Sequence, residues 1–282
     1  MCIFCAFFND KISGVIMGKL RTFLIIVFIA VTVAFCGGQI YLSLLADTTP
    51  PEIKFDSDTV TIRVKDDNSK LLSGVIASDN RDGDLSDEVI VSGVSNLISN
   101  NTAKVTYIVF DSANNMATAS RTVVYSDYER PKFRIEEPLE YTLGESISLT
   151  DRLFADDAVD GDISDSIRIS ALDINSSTEG TYYISVQVVN SMGDTASVTL
   201  PIVLRSAASS APQIELSSYL LYLDAGSSFN ASDYVSYVSG GSTSDVSISG
   251  TVDTSKTGTY HVSYSCSNSG GTGTSVLTVV VE

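Results

Sequence analysis

The chain has 282 residues, a formal charge of −17 and no tryptophan. That length calls for more than one domain. From Asp47 onward 14 basic residues stand against 33 acidic ones, which excludes nucleic acid as a partner, because phosphate backbones are neutralised by clustered Lys and Arg, and disfavours anionic membrane surfaces.

The first element is apolar. No residue from Thr22 to Ala46 is charged, and Phe23 to Ala30 opens the run without a polar side chain. About twenty such residues cross a bilayer core, so 22–46 is expected to be a transmembrane helix. Lys11, Lys19 and Arg21 precede it, whereas Asp47 and Glu52 follow. The positive-inside rule then makes residues 1–21 a short cytoplasmic N-terminus of a single-pass cell-membrane protein, with everything downstream extracellular. The rival is a cleaved signal peptide starting at Met17, but the apolar run exceeds an ordinary h-region, and Phe35 and Cys36 are poor neighbours for cleavage. Cys2 and Cys5 form a CxxC that lacks the second ligand pair of a metal site. Cys266 is the only cysteine beyond the helix, so no disulfide forms there; it falls on the inward side of an alternating strand and reads as a small core residue.

The next landmark is an acidic run, Ala77 to Val89, containing Asp82, Gly83, Asp84, Leu85, Ser86 and Asp87. It returns 78 residues later, from Ala155 to Ile167, as Asp160, Gly161, Asp162, Ile163, Ser164 and Asp165. Gly180, Thr181 and Tyr182 recur as Gly258, Thr259 and Tyr260, and Pro51, Pro131 and Pro212 each precede an apolar run. A fixed period of this kind defines the architecture: three similar domains are expected at 47–127, 128–206 and 211–282. Within each the alternation has period two, as strands require. Tyr182, Ile184, Val186 and Val188 match Tyr260, Val262, Tyr264 and Cys266, and Ala196, Val198, Leu200 and Ile202 are expected to match Thr274, Val276, Thr278 and Val280. Short strands between turn signals predict a sandwich of about seven strands per unit. The charged joint Ser126 to Arg130 is expected to bend little, and the Ser/Ala joint Arg205 to Ala211 to be the more mobile.

Two readings of the acidic run stand. Asp79, Asp82, Asp84, Asp87 and Glu88 crowd into ten residues, as do Asp156, Asp157, Asp160, Asp162 and Asp165. Hard oxygen ligands at this density suit calcium, which makes Asp79, Asp82, Asp84, Asp87, Asp157, Asp160, Asp162 and Asp165 candidate ligands of a weak site. The EF-hand spacing fails, since its twelfth position would be Val89 or Ile167. The favoured reading is a tight Asp/Gly turn whose carboxylates bond backbone amides. Otherwise no cofactor is called for.

An enzyme is not expected. The sole histidine, His261, alternates out of phase with Tyr260 and Val262 and so points to solvent, and neither a nucleophile with its base nor a cleft is indicated. Tyr219, Tyr222, Tyr234 and Tyr237 in the third unit offer aromatic faces that suit sugars or proteins, though core packing accounts for most of them.

Taken together, the leading Pro, the Asp-Gly-Asp-Leu/Ile-Ser run, the Gly-Thr-Tyr strand and the Asp111 to Asn115 turn resemble the bacterial Ig-like repeat of pesticidal crystal proteins, and are similar to hyalin-type repeats. The third unit departs most, with Ser239, Gly241 and Ser244 in place of the aspartates. The resemblance implies an all-β fold, three tandem Ig-like β-sandwiches after one N-terminal transmembrane helix. It further implies a non-catalytic surface stalk, adhesion or protein-interaction module whose partner is an unidentified extracellular protein or glycan. The alternatives are a calcium-dependent carbohydrate-binding ectodomain and an accessory subunit of a cell-wall-modifying complex.

Overall fold

A computed structural model describes residues 3–207 and 210–282. The fold is all-β, with three tandem Ig-like sandwiches after one N-terminal helix. That helix, α1, runs from Ile3 to Leu45. It begins well before residue 22 because no proline interrupts residues 3–21, so the basic segment expected to precede the helix is its first part. Gly18–Ser43 is long and apolar enough to cross a membrane; its 26 residues extend about 39 Å at roughly 1.5 Å each, against a hydrocarbon core of about 30 Å. Its side chains are exposed along that whole length. Cys2 lies outside the described residues.

The first repeat carries seven strands: β1 Glu52–Phe55, β2 Thr59–Ile62, β3 Val75–Asp79, β4 Gly83–Asp84, β5 Ile90–Val94, β6 Thr102–Phe110 and β7 Met116–Tyr125. The second repeats them as β8 Lys132–Ile135, β9 Glu140–Thr142, β10 Leu153–Asp157, β11 Gly161–Asp162, β12 Arg168–Asp173, β13 Gly180–Val189 and β14 Thr195–Arg205. The third has six described strands: β15 Gln213–Leu216, β16 Leu220–Leu223, β17 Val235–Ser239, β18 Ser247–Ser249, β19 Gly258–Asn268 and β20 Gly271–Val281. The strand absent from its description is the two-residue piece after the aspartate turn, the place where Ser239 and Gly241 have replaced the aspartates.

Each repeat has a small antiparallel sheet, in the orders β1-β3-β4, β8-β10-β11 and β15-β17. Each also has a four-stranded sheet, β2-β7-β6-β5, β9-β14-β13-β12 and β16-β20-β19-β18. One edge pair of every large sheet is parallel: β2 with β7, β9 with β14 and β16 with β20. In the second repeat Phe133, Leu153 and Ala155 of the small sheet share one core with Ile184, Val186, Leu200 and Ile202 of the large one. In the third, Ile214 and Val238 pack with Val262, Tyr264, Cys266, Leu277 and Val279. Cys266 is 2% exposed, a core residue as expected.

The last strand corrects the expected register. Ile184 pairs with Leu200, but Val262 pairs with Leu277. The inward residues of β20 are therefore Leu277, Val279 and Val281, not Val276, Thr278 and Val280. The cause is the hairpin: β13 and β14 are joined by residues 190–194, whereas β19 and β20 are joined by Ser269 and Gly270 alone. A strand entered one residue earlier turns every side chain to the opposite face. Here both faces are buried, since Val280 packs against the core of the second repeat.

By internal contacts the chain divides into two compact units, one of Met1–Asp56, Gly74–Ile90 and Ile108–Ala119, the other of Ser57–Ser73, Val91–Tyr107 and Ser120–Glu282. The second and third repeats fall wholly in the latter. Within it, the Tyr128 hydroxyl donates to Asp194 at 2.9 Å and Arg130 forks onto the same carboxylate at 3.1 Å. The next joint is bridged as well, although residues 208 and 209 of its linker lie outside the described residues. The Phe133 amide donates to the Tyr222 hydroxyl at 2.9 Å, Lys132 pairs with Glu282 at 2.6 Å, and Arg205 donates to the Thr274 carbonyl at 2.5 Å. Side chains thus reach across this joint from the two repeats, contacts that linker composition does not reveal.

Candidate functional site

Both acidic runs fold as turns at the end of a small-sheet strand. Asp79 closes β3 and its Oδ1 accepts from the amides of Arg81 at 2.7 Å and Asp82 at 3.0 Å. Asp157 closes β10 and does the same for Val159 at 2.8 Å and Asp160 at 2.9 Å. Gly83 and Gly161 follow with φ of +78°, a conformation that glycine adopts without steric cost. Asp84 Oδ1 accepts from the Ser86 amide at 3.0 Å and hydroxyl at 2.6 Å, and Asp162 binds Ser164 likewise. The Asp82 carboxylate takes the amide and hydroxyl of Ser112, both at 2.8 Å, and Asp160 takes those of Ser191, both at 2.6 Å. Asp87 and Asp165 sit exposed in single 3-10 turns.

These bonds favour the ionised carboxylates. The Ser86 hydroxyl holds Asp84 below the usual carboxylate range, as Ser164 does for Asp162, and backbone amides do so for Asp79. A carboxylate whose folded pKa is depressed contributes stability that is present above its unfolded value of 3.8 and lost as pH falls through the folded value. Amide protection in 79–86 and 157–164 is therefore expected to fall below about pH 4, and Ser86→Ala to shift that loss to higher pH for the first turn alone. An unmoved acid limb in hydrogen exchange would contradict the turn's role.

One constellation was not visible in the runs themselves. Carboxylate oxygens of Asp47, Asp79 and Asp111 all lie within 4.8 Å of one another. Asp47 leads into the first repeat, Asp79 belongs to the acidic turn, and Asp111 follows β6. Of the eight aspartates singled out as calcium ligands, Asp79 is the one in a three-ligand group among the described residues. Asp111 Oδ1 accepts the Asn115 amide and its Oδ2 the Asn115 side chain, both at 2.7 Å. Asp47 Oδ1 accepts the Thr49 amide at 3.1 Å, and Arg81 Nε stands 3.7 Å from its Oδ2.

The corresponding place in the second repeat is built differently. There Asn190 stands where the first repeat has Asp111, and its Nδ2 donates to Asp157 Oδ2 at 3.0 Å and to the Tyr128 hydroxyl at 2.9 Å. The third repeat has Asn268, whose Nδ2 donates to the carbonyls of Ser210 and Gly240. A sequence signal for Asp111 was thus present, as a carboxylate where the other repeats carry an amide donor.

His261 is not turned to solvent. It is half-buried, its Nδ1 is 3.3 Å from the Thr278 hydroxyl, and its ring centroid is 4.9 Å from that of Tyr183. It shares the face of the β19/β20 hairpin that meets the second repeat. Burial lowers its pKa from 6.5. Because the unfolded state then binds the proton more readily, stability should be complete above about pH 6.5 and decline below it; a His261→Gln chain whose melting fell equally between pH 7 and 5.5 would refute this.

Of the four third-repeat tyrosines singled out for their aromatic faces, three have structural partners. Tyr222 accepts the Phe133 amide, Tyr219 accepts the Leu216 amide at 3.3 Å, and Tyr234 stacks on Phe229 at 5.6 Å. Tyr237 is 55% exposed.

Residues 218–281 match the family described as bacterial surface protein, Ig-like domain. No curated protein matches the chain. Among solved structures, the carbohydrate-binding module CBM51-2 with INT domains from Clostridium perfringens ZmpB is 16% identical, over 52% of this chain and 26% of that one, with a TM-score of 0.23. The M60 catalytic domain with both CBM51 domains of the same protein is 13% identical over 83% and 31%, with a TM-score of 0.22. The protocadherin GammaB4 extracellular domain is 14% identical over 83% and 51%, at 0.21. At these scores the likenesses carry no argument, and the chain spans about a quarter to a half of the proteins concerned.

Proposed function

We propose that the chain is a non-catalytic, single-pass surface protein that presents three Ig-like repeats outside the cell as a stalk or adhesion module. The observation that carries this reading is the chain order: an exposed apolar helix of membrane-spanning length leads directly into β-repeats, the last of which matches a bacterial surface Ig-like family. Basic residues before the apolar stretch 22–46, in the first part of the helix, and acidic ones after it support a cytoplasmic placement of residues 1–21. The membrane is the first partner, held through the helix. The second is an extracellular protein or glycan met by the third repeat, where Tyr237 stands exposed. The half-buried His261, engaged with Thr278 and Tyr183, gives no support to catalysis.

The test is protease added to intact cells carrying an N-terminal tag. The repeats should disappear while a tagged fragment of roughly fifty residues stays in the membrane. Release of an untagged, full-length ectodomain into the medium would instead identify a cleaved leader.

A further inference from the structure

We infer that Asp47, Asp79 and Asp111 form a binding site for a hard divalent cation, calcium in particular. The three carboxylates come within 4.8 Å of one another, and two of them are almost fully withdrawn from water: the Asp47 side chain is 8% exposed and Asp111 is 6% exposed. Like charges so close and so buried repel unless neutralised. Arg81, half exposed and 3.7 Å from Asp47, offsets one charge.

The second and independent observation is Asp79 Oδ2. The turn uses Oδ1, whereas Oδ2 is buried and has no hydrogen-bond partner. Its counterpart in the second repeat, Asp157 Oδ2, is not left in that condition, because Asn190 donates to it at 3.0 Å. The first repeat replaces that donor by Asp111, which as a carboxylate has nothing to donate. An acceptor thus stands where the homologous site has an N–H, and Asp47 brings a third. A ligand able to serve several acceptors at once is a cation, and an all-oxygen, carboxylate-rich set selects a hard one. Water and backbone oxygens complete a calcium shell. The site draws on the residues leading out of α1, the β3 turn and the loop after β6, so a bound cation ties the start of the repeats to the chain leaving the helix.

The inference stands apart from the surface reading, since its test is a binding measurement on isolated protein. Full-length protein in detergent, stripped with chelator, should take up one calcium per chain in equilibrium dialysis, half-saturating at about 0.1–1 mM, as in extracellular modules. Asp111→Asn, which installs the residue of the other repeats, should bind about tenfold or more weakly while keeping its circular dichroism. Its melting point in chelator should be no lower than wild type, because the new amide can serve Asp79 Oδ2 as Asn190 serves Asp157. Asp47→Asn should lose binding as well, and Asp84→Asn, altered in the same turn but outside the three, should keep it. No saturable uptake by the wild type, or uptake undiminished in both Asp111→Asn and Asp47→Asn, overturns the site.

Discussion

Arg121→Ala is expected to destabilise the first repeat by about 4 kcal/mol, because several buried hydrogen bonds to a charged donor are lost together. Arg121 lies on β7 and is 4% exposed. Its Nη2 donates to the carbonyls of Leu71 at 2.9 Å and Ser73 at 2.5 Å, and its Nε donates to the Tyr107 hydroxyl at 2.9 Å. Tyr107, fully buried, donates in turn to the Leu71 carbonyl at 2.5 Å. The loop that crosses between β2 and β3 is therefore held by a guanidinium placed where the second repeat has Leu200. A buried charge costs desolvation, so the group stabilises only while its acceptors are all in place. Arg121→Lys should fall between, at about 2 kcal/mol, since a single ammonium cannot span the fork of acceptors. Hydrogen exchange across 102–125 reads the first repeat alone. A loss under 1 kcal/mol for the alanine variant, by the usual worth of one such bond, would mean that the network adds nothing to the repeat.

That network shows where the sequence was legible and where it was not. Repeats, strands and turns are local: period-two alternation marks β13 and β19, and Asp-Gly-Asp-Leu/Ile-Ser describes a turn whose every bond is made within a few residues or to the neighbouring hairpin. Arg121 falls in phase with Val123 and Tyr125, but a charged residue in an inward phase reads as an exception until its acceptors are known, and these are contributed by a loop about fifty residues away. The β20 register depended on one residue of hairpin length, which the loose alignment of Thr274 to Val280 absorbed without notice. His261 was placed correctly on the far face of its strand, yet that face is covered by Tyr183 of the preceding repeat, a contact no intra-strand pattern encodes. Asp47 and Asp111 were passed over for a related reason. Each is ordinary in its own segment, and the group exists only because the fold brings a linker, a strand end and a hairpin loop together.

In the third repeat, Tyr264→Ala is expected to cost about 3–5 kcal/mol, the range for removing a large aromatic from a close-packed core. Tyr264 is fully buried within the cluster of Ile214, Val238, Val262, Leu277 and Val279. Its hydroxyl reaches out of that cluster to donate to the Ala231 carbonyl at 2.8 Å, so the side chain fills the sandwich and also fixes the 3-10 segment Ala231–Tyr234. Burial pushes its pKa up to about 12, which keeps the donor protonated at any physiological pH. Tyr264→Phe separates the two contributions: the ring stays, the Ala231 carbonyl loses its donor, and the loss should be about 1 kcal/mol. Position 186 supports the division, because the second repeat carries Val186 there and packs its core with no hydroxyl at that position. The two variants should also differ in place. Tyr264→Phe should raise exchange in 231–238 and leave β19 protected, whereas Tyr264→Ala should open β19 and β20 together, because the cavity lies between the sheets. Equal losses for the two variants would assign the whole effect to the hydrogen bond and contradict the packing role.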